Sequence, residues 1–299
     1  MVKNQKQAVM FAMAAVLMWS TVATAFKLAL QEMAPVQLLF YAALVSWLFL
    51  GGLLWLKGQY CQALTAFTQN RIYYIKIGVL NPCLYYLILF QAYDLLPAQQ
   101  AQALNYTWAI MLSVLAVPML GQRLYSKDMI ASGMAYFGVL VICTRGELGE
   151  LNFDSPTGVL LALLSTVVWA LYWILNTRNT DPPVTALFLC FSISLPLISV
   201  VLFWQGLWAL PSIKGGLLSA YVGLFEMGIT FIFWLMAMKR AENVAAVSNL
   251  IFISPFLSLV IIQYFLGEKV EIATVAGLLM IIVGLLIQKV GRSDRSVQS

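Results

Sequence analysis

The sequence predicts an all-α integral membrane protein: ten transmembrane helices arranged as two inverted five-helix repeats around a central cavity. Three observations predict it. Of the 299 residues, 62% are apolar and 10% are charged, whereas soluble domains carry about 25% charged residues. Apolar segments follow one another at 8–30, 35–56, 72–93, 98–120, 127–144, 156–176, 183–204, 217–238, 244–266 and 271–289. Each approaches the length of about 20 residues that a bilayer-spanning helix needs. The chain also repeats itself at half its length. Pro97–Arg123 and Asn243–Lys269 read in the same order, from a small or polar opening to Leu120-Gly121-Gln122-Arg123 and Leu266-Gly267-Glu268-Lys269. Such an internal repeat is the sign of a duplicated membrane unit.

The first segment, 8–30, is too long for a signal-peptide core and has no small-residue cleavage site after it, so it reads as an uncleaved helix. Pro35, Pro97 and Pro156 stand at segment starts, where a missing N–H costs nothing. Asp154 and Ser155 supply an N-cap ahead of Pro156. Pro82, Pro196 and Pro255 fall inside segments and should kink them. The fifth and tenth segments are the least polar. Ala131, Ala135 and Gly138 share one face and Gly277 and Gly284 another, which reads as a close-packed scaffold.

Lysine and arginine set the orientation. With the N-terminus inside, all of the 17 Lys and Arg except Lys27, Arg145, Lys214 and Lys269 fall on the cytoplasmic side. Both termini are therefore expected in the cytoplasm, in a multi-pass protein of the inner (plasma) membrane. The halves are 8–144 and 156–290, joined by a connecting loop at 145–155 and followed by a cytoplasmic tail at 291–299. Each half has an odd number of spans, so the second enters the membrane from the opposite side. Halves related in this way place a small-molecule site between them near the midplane.

Several chemistries have no residues to run them. There is no His, which removes the commonest metal ligand and the usual base near pH 7. Cys61, Cys83, Cys143 and Cys190 stand in separate segments and read as free thiols. No glycine-rich phosphate loop and no soluble nucleotide domain is present. No cofactor and no metal are expected, and an enzyme is not. The net charge of +5 gathers in cytoplasmic loops and marks no nucleic-acid partner. The expected partners are the lipid bilayer and a small-molecule substrate. The sequence does not set the oligomeric state.

The chain resembles the drug/metabolite transporter superfamily, EamA type. The resemblance rests on Leu17-Met18-Trp19-Ser20-Thr21 with Phe26-Lys27 after it, on the echo Ser165-Thr166-Val167-Val168-Trp169-Ala170, and on the two glycine-ended helices at Gly121 and Gly267. It covers nearly all of 8–290. It implies ten helices in two inverted halves around a central cavity, and secondary transport of small metabolites such as amino acids, most often outward. The alternatives it leaves are another small solute or drug (a vitamin, a nucleoside-like or cationic compound) and a non-transporting scaffold or receptor. Span four departs from its copy: Thr107-Trp108-Ala109 stands where span nine has Ile253-Ser254-Pro255, so the halves need not bend alike.

The candidate substrate residues follow from polarity inside apolar segments. Glu226 is the acidic residue deep in a span, about 15 Å from its outer end by helix rise. A carboxylate there costs several kcal/mol, about 2.5 or more, unless it is paired, protonated or wet. It reads as a group for a substrate amine or for proton exchange, against the plainer reading of an interhelical hydrogen bond. Lys27 shares a face of span one with Ser20 and Thr24; it could meet a substrate carboxylate or snorkel to the interface. Gln102 and Asn105 lie on one face of span four with Trp108 close by, and Trp169 and Tyr172 lie on one stripe of span six. Tyr85 in span three and Asn249 and Phe252 in span nine complete the set.

Overall fold

A computed structural model describes residues 3–121, 126–148, 154–176 and 179–296. The described residues form helices joined by turns and short loops, with no strand. In order they form α1 (Gln5–Leu30), α2 (Pro35–Leu56), α3 (Tyr60–Gln69), α4 (Arg71–Gly78), a π-helical turn (Val79–Leu84), α5 (Tyr85–Leu95), α6 (Ala98–Asn105), α7 (Trp108–Leu120) and α8 (Ser126–Cys143). Then come α9 (Pro156–Asn176), α10 (Pro183–Trp204), α11 (Ile213–Phe225), α12 (Ile229–Arg240), α13 (Val244–Asn249), a 3₁₀ turn (Leu250–Ile253), α14 (Ser254–Leu266) and α15 (Ile272–Ser296).

Among the described residues, seven helical stretches are long and apolar enough to cross a membrane: Gln5–Leu30, Pro35–Leu56, Arg71–Leu95, Ala98–Leu120, Pro156–Asn176, Pro183–Trp204 and Ile213–Arg240. Asp128–Cys143, Leu250–Leu266 and Ile272–Ile287 are shorter apolar helices. Gln122, Arg123 and Arg178 lie outside the described residues. The four cysteines are free; Cys61 is exposed and the others are buried.

The segments expected to run straight through are interrupted. Segment three leaves α-geometry at 79–84, where Asn81 has extended backbone angles before Pro82, as the internal proline predicts. Segment four pauses between α6 and α7, segment eight at Glu226-Met227-Gly228, and segment nine at the 3₁₀ turn. Pro255 begins α14 rather than kinking its middle. By contrast, α10 continues past Pro196.

The interruptions recur at corresponding chain positions. In the alignment that sets α7's first residue, Trp108, against α14's first residue, Ser254, Gly121 falls on Gly267. Both glycines end their helices with positive φ, 66° and 70°, the left-handed cap glycine permits. The same alignment sets Leu80, in the π turn, against Glu226. The two copies are thus interrupted at corresponding positions, although the residues there and the kind of turn differ. Span four needs no proline for it: the turn at Tyr106 and Thr107 is closed by Tyr106 N–H to the Gln102 carbonyl and Thr107 N–H to the Leu104 carbonyl.

Contacts divide the chain into two compact units, residues 1–90 with 179–267 and residues 91–178 with 268–299. In the first, α1 packs against α11, α12 and α14, and α10 against α2 and α4. Its N-terminal end is tied to the end of α12. Asn4 N–H donates to the Arg240 carbonyl at 2.9 Å, Lys3 Nζ to the Ala241 carbonyl at 2.9 Å, and Gln5 Oε1 accepts from the N–H groups of Glu242 and Asn243. Ala8, Ala12, Ala237, Ala241 and Val247 close this end into a small-residue core. At the far end of α1, Glu32 accepts from Ser212 and pairs with Lys214 at 2.8 Å.

In the second unit α8 and α15 lie along one another. The approach is set by glycine. A Cβ on Gly277 would come 2.4 Å from the Gly138 carbonyl, and one on Gly284 would come 2.7 Å from that of Ala131. The small faces read from the sequence therefore meet each other. In the same unit, the Glu268 carboxylate accepts from the first N–H groups of α6, Ala98 at 3.0 Å and Gln99 at 3.4 Å. An anion at a helix N-terminus satisfies orphan donors and opposes the positive dipole end. Arg145 pairs with Asp154 at 2.8 Å and with Glu271 at 3.4 Å. The Asp154 carboxylate, through the hydrogen bond it accepts, holds the Arg145 guanidinium above its ordinary pKa.

Candidate functional site

Glu226 stands where α11 ends. Its N–H still closes the helix on the Val222 carbonyl at 2.9 Å, and the next two residues leave helical geometry. The break is held from two sides. Ser46 of α2, fully buried, donates to the Met227 carbonyl at 3.3 Å, and Thr230 donates to the Phe225 carbonyl. Backbone groups freed inside a membrane must be satisfied in this way. The carboxylate is half-buried. Tyr86 of α5 donates its hydroxyl to Oε1 at 2.9 Å, and the Trp19 indole of α1 lies near the carboxylate.

Aromatic rings surround this carboxylate. Trp19 meets Phe231 edge-on at 5.7 Å and Trp234 at 5.6 Å, both from α12. Tyr86 packs on Tyr85 at 4.7 Å and on Phe90 at 5.3 Å, and Phe90 continues to Phe26 of α1 at 4.8 Å. Among the described residues Glu226 makes no ion pair. Two other expected residues of this unit are buried beside neighbouring helices. Ser20 is fully buried, 2.6 Å from the Val16 carbonyl and 3.3 Å from Ser254 Oγ, and so links α1 to α14. Thr24 is buried with its hydroxyl oxygen unpartnered. Lys27 is half-buried in the last turn of α1, Phe252 is half-buried in the 3₁₀ turn, and Asn249 is exposed at the end of α13.

The second unit holds the other expected residues. Asn105 ends α6 and donates through Nδ2 to Ser165 of α9 at 3.2 Å. Gln102, one turn earlier, is buried with Oε1 unpartnered. Trp108 opens α7 and is half-buried. On α9, Trp169 and Tyr172 stack at 5.5 Å, and Trp173 meets Trp169 edge-on at 5.9 Å.

Tyr86, Phe231, Trp234 and Ser46 are the residues around Glu226 that sequence reading passes over. In span three the sequence points to Tyr85. The π turn at 79–84 resets the helical register just before the pair, and it is Tyr86 that reaches the carboxylate.

The helices and the carboxylate at a helix break define a multi-pass, all-helical membrane protein. Two stretches, 6–144 and 156–288, match the EamA-like transporter family, and the chain belongs to that family. It is a transporter of the EamA, drug/metabolite type. It is similar to an uncharacterized transporter of Clostridium kluyveri, 26% identical over 74% of this chain and 73% of that one. The uncharacterized transporter YvbV of Bacillus subtilis is 28% identical over 71% and 70%. The aromatic amino acid exporter YddG of Ancylobacter novellus is 26% identical over 58% of this chain and 61% of its own. One crystal structure of a protein matches with a TM-score of 0.62 at 19% identity, covering 99% of this chain and 100% of the other, which shows the shared fold.

Proposed function

We propose that this chain is a secondary transporter of the inner membrane that exports amino acids or similar small metabolites by alternating access between inverted halves, 8–144 and 156–290. In this reading all ten apolar segments cross the bilayer, both termini are cytoplasmic, and the residues at the helix interruptions face the substrate. The observation that carries it is the recurrence of the breaks: segments three and eight, and four and nine, are interrupted at corresponding positions. Paired discontinuous helices in two halves are the best pointer to a transport site, since they present backbone and helix ends to solute. Each unit supplies its own candidates: Glu226 with Trp19 in the first, and Asn105 with Trp108, Trp169 and Tyr172 in the second.

The relation to an aromatic amino acid exporter and the aromatic residues near both groups favour an amphipathic or aromatic solute. The test is physiological and biochemical together. A strain lacking the protein should be hypersensitive to toxic amino-acid analogues, and overexpression should restore resistance and raise the excreted counterpart. Purified protein in liposomes should release the same labelled solute. Flux no faster than in protein-free liposomes across an amino-acid panel would overturn the proposal.

A further inference from the structure

We propose that Glu226 and the rings beside it form a binding site for a protonated amine carried on an aromatic or aliphatic body, in which the amine is required and a carboxylate on the ligand is dispensable. This rests on the transporter reading only for its consequence, since binding can be measured without flux. Three features of one locus support it.

The first is a carboxylate with spare acceptor capacity and no cationic partner. Tyr86 donates the one hydrogen bond it receives, the nearby Trp19 indole is neutral, and no Lys or Arg of the described residues pairs with it. An ionised carboxylate accepts about four hydrogen bonds. One donor leaves room for an ammonium, which has three N–H groups to give. The second is the helix break. The carboxylate emerges at the C-terminus of α11, whose last carbonyls are the partially negative end of a helix dipole, two residues before the cap of α12. The third is the ring set. Trp19, with Phe231 and Trp234 against it, offers indole surface beside the carboxylate, and cations are held over such faces. An anionic ligand is repelled here, and a neutral alcohol leaves the charge unmatched.

The experiment uses the full chain in a non-ionic detergent. Thermal unfolding is followed against phenethylamine, phenethyltrimethylammonium, 2-phenylethanol and 3-phenylpropionate. The amine should raise the midpoint, half-saturating at a concentration about ten-fold below that of the alcohol, the size of one charge-assisted contact; the quaternary cation, with charge but no N–H to donate, should fall between the two. The anion should have no effect. Glu226→Gln should erase the gap between amine and alcohol while leaving the alcohol unchanged, and Glu226→Asp should keep part of it. Equal half-saturation by amine and alcohol in the unaltered protein would overturn the site, as would a gap that survives in Glu226→Gln. Should Glu226→Gln give no cooperative transition, Trp19→Phe carries the comparison: the gap must narrow, and an unchanged gap overturns the site. Liposome flux separates the two claims. Amine binding with no flux of any solute defeats the transporter reading alone. Flux of amino acids with no amine preference defeats the site alone.

Discussion

Tyr86 gives Glu226 the hydroxyl that a buried carboxylate needs, and its removal has a distinct cost. Tyr86→Phe keeps the packing on Tyr85 and Phe90 but leaves an acceptor unmatched. A buried group deprived of its partner costs about 1–3 kcal/mol, so the thermal midpoint should fall in Tyr86→Phe and recover when Glu226→Gln is added. Glu32 makes a prediction of opposite kind. Its hydrogen bond with Lys214, then that from Ser212, holds its carboxyl below the usual range. A depressed acid stabilises the folded state above its unfolded-state pKa and loses that contribution as pH falls through the folded value. The midpoint difference between the unaltered protein and Glu32→Gln should be present at pH 7 and shrink toward pH 3. A constant difference would show that the pair contributes no charge term. At this scale the sequence reveals Glu226, because one acid in an apolar span stands out. It does not reveal Tyr86, because the neighbour of Tyr85 faces elsewhere on any regular helix, and the π turn that re-aims both is not a periodic feature.

At the scale of the helix, the α8–α15 contact is the most legible element and the easiest to break. Gly277→Val places side-chain atoms where the Gly138 carbonyl already stands within 2.4 Å of a bare Cβ. Overpacking of this kind costs about 1–3 kcal/mol, and expression and thermal midpoint should both fall. Gly133, in α8, has nothing within 4 Å of its would-be Cβ. Gly133→Ala should be neutral or gain up to about 1 kcal/mol of helix propensity. Equal losses in the two variants would contradict the packing. The interrupted spans were less legible. Pro82 announces the first break, but 226–228 contains only Gly228 as a local signal, and the turn at Tyr106 and Thr107 has none. The break at 226–228 is held in part by a partner far away in sequence, Ser46 on Met227, which no window along the chain contains. Pro255 is a bystander by the same argument: Pro255→Ala should leave α14 starting at Ser254, which a structure of the variant would check.

For the whole molecule, charge and hydropathy carry the reading. A cytoplasm-active reporter fused after Arg295 should be active and one inserted between Arg145 and Asp154 silent; the reverse at either point would defeat the proposed orientation. The tie of Lys3, Asn4 and Gln5 to residues 240–243 puts the N-terminus and the end of segment eight on one side, as the basic residues there require. Which helices pack together was not legible. The sequence divides the chain near 145–155, whereas contacts group 1–90 with 179–267. Repeats record descent along the chain, while contacts record which faces fit, and an apolar span looks alike on every face.

The interruption at Glu226-Met227-Gly228 also sets a clock. Regular helices in an apolar environment protect their amides, because exchange needs a bond to open. At this break Met227 and Gly228 lie between two helices, and the Met227 amide reaches the Val222 carbonyl only at a long 3.4 Å. Their amides should exchange deuterium earlier than those of α11 and α12 on either side, and a bound solute that seats itself at the break should slow them first.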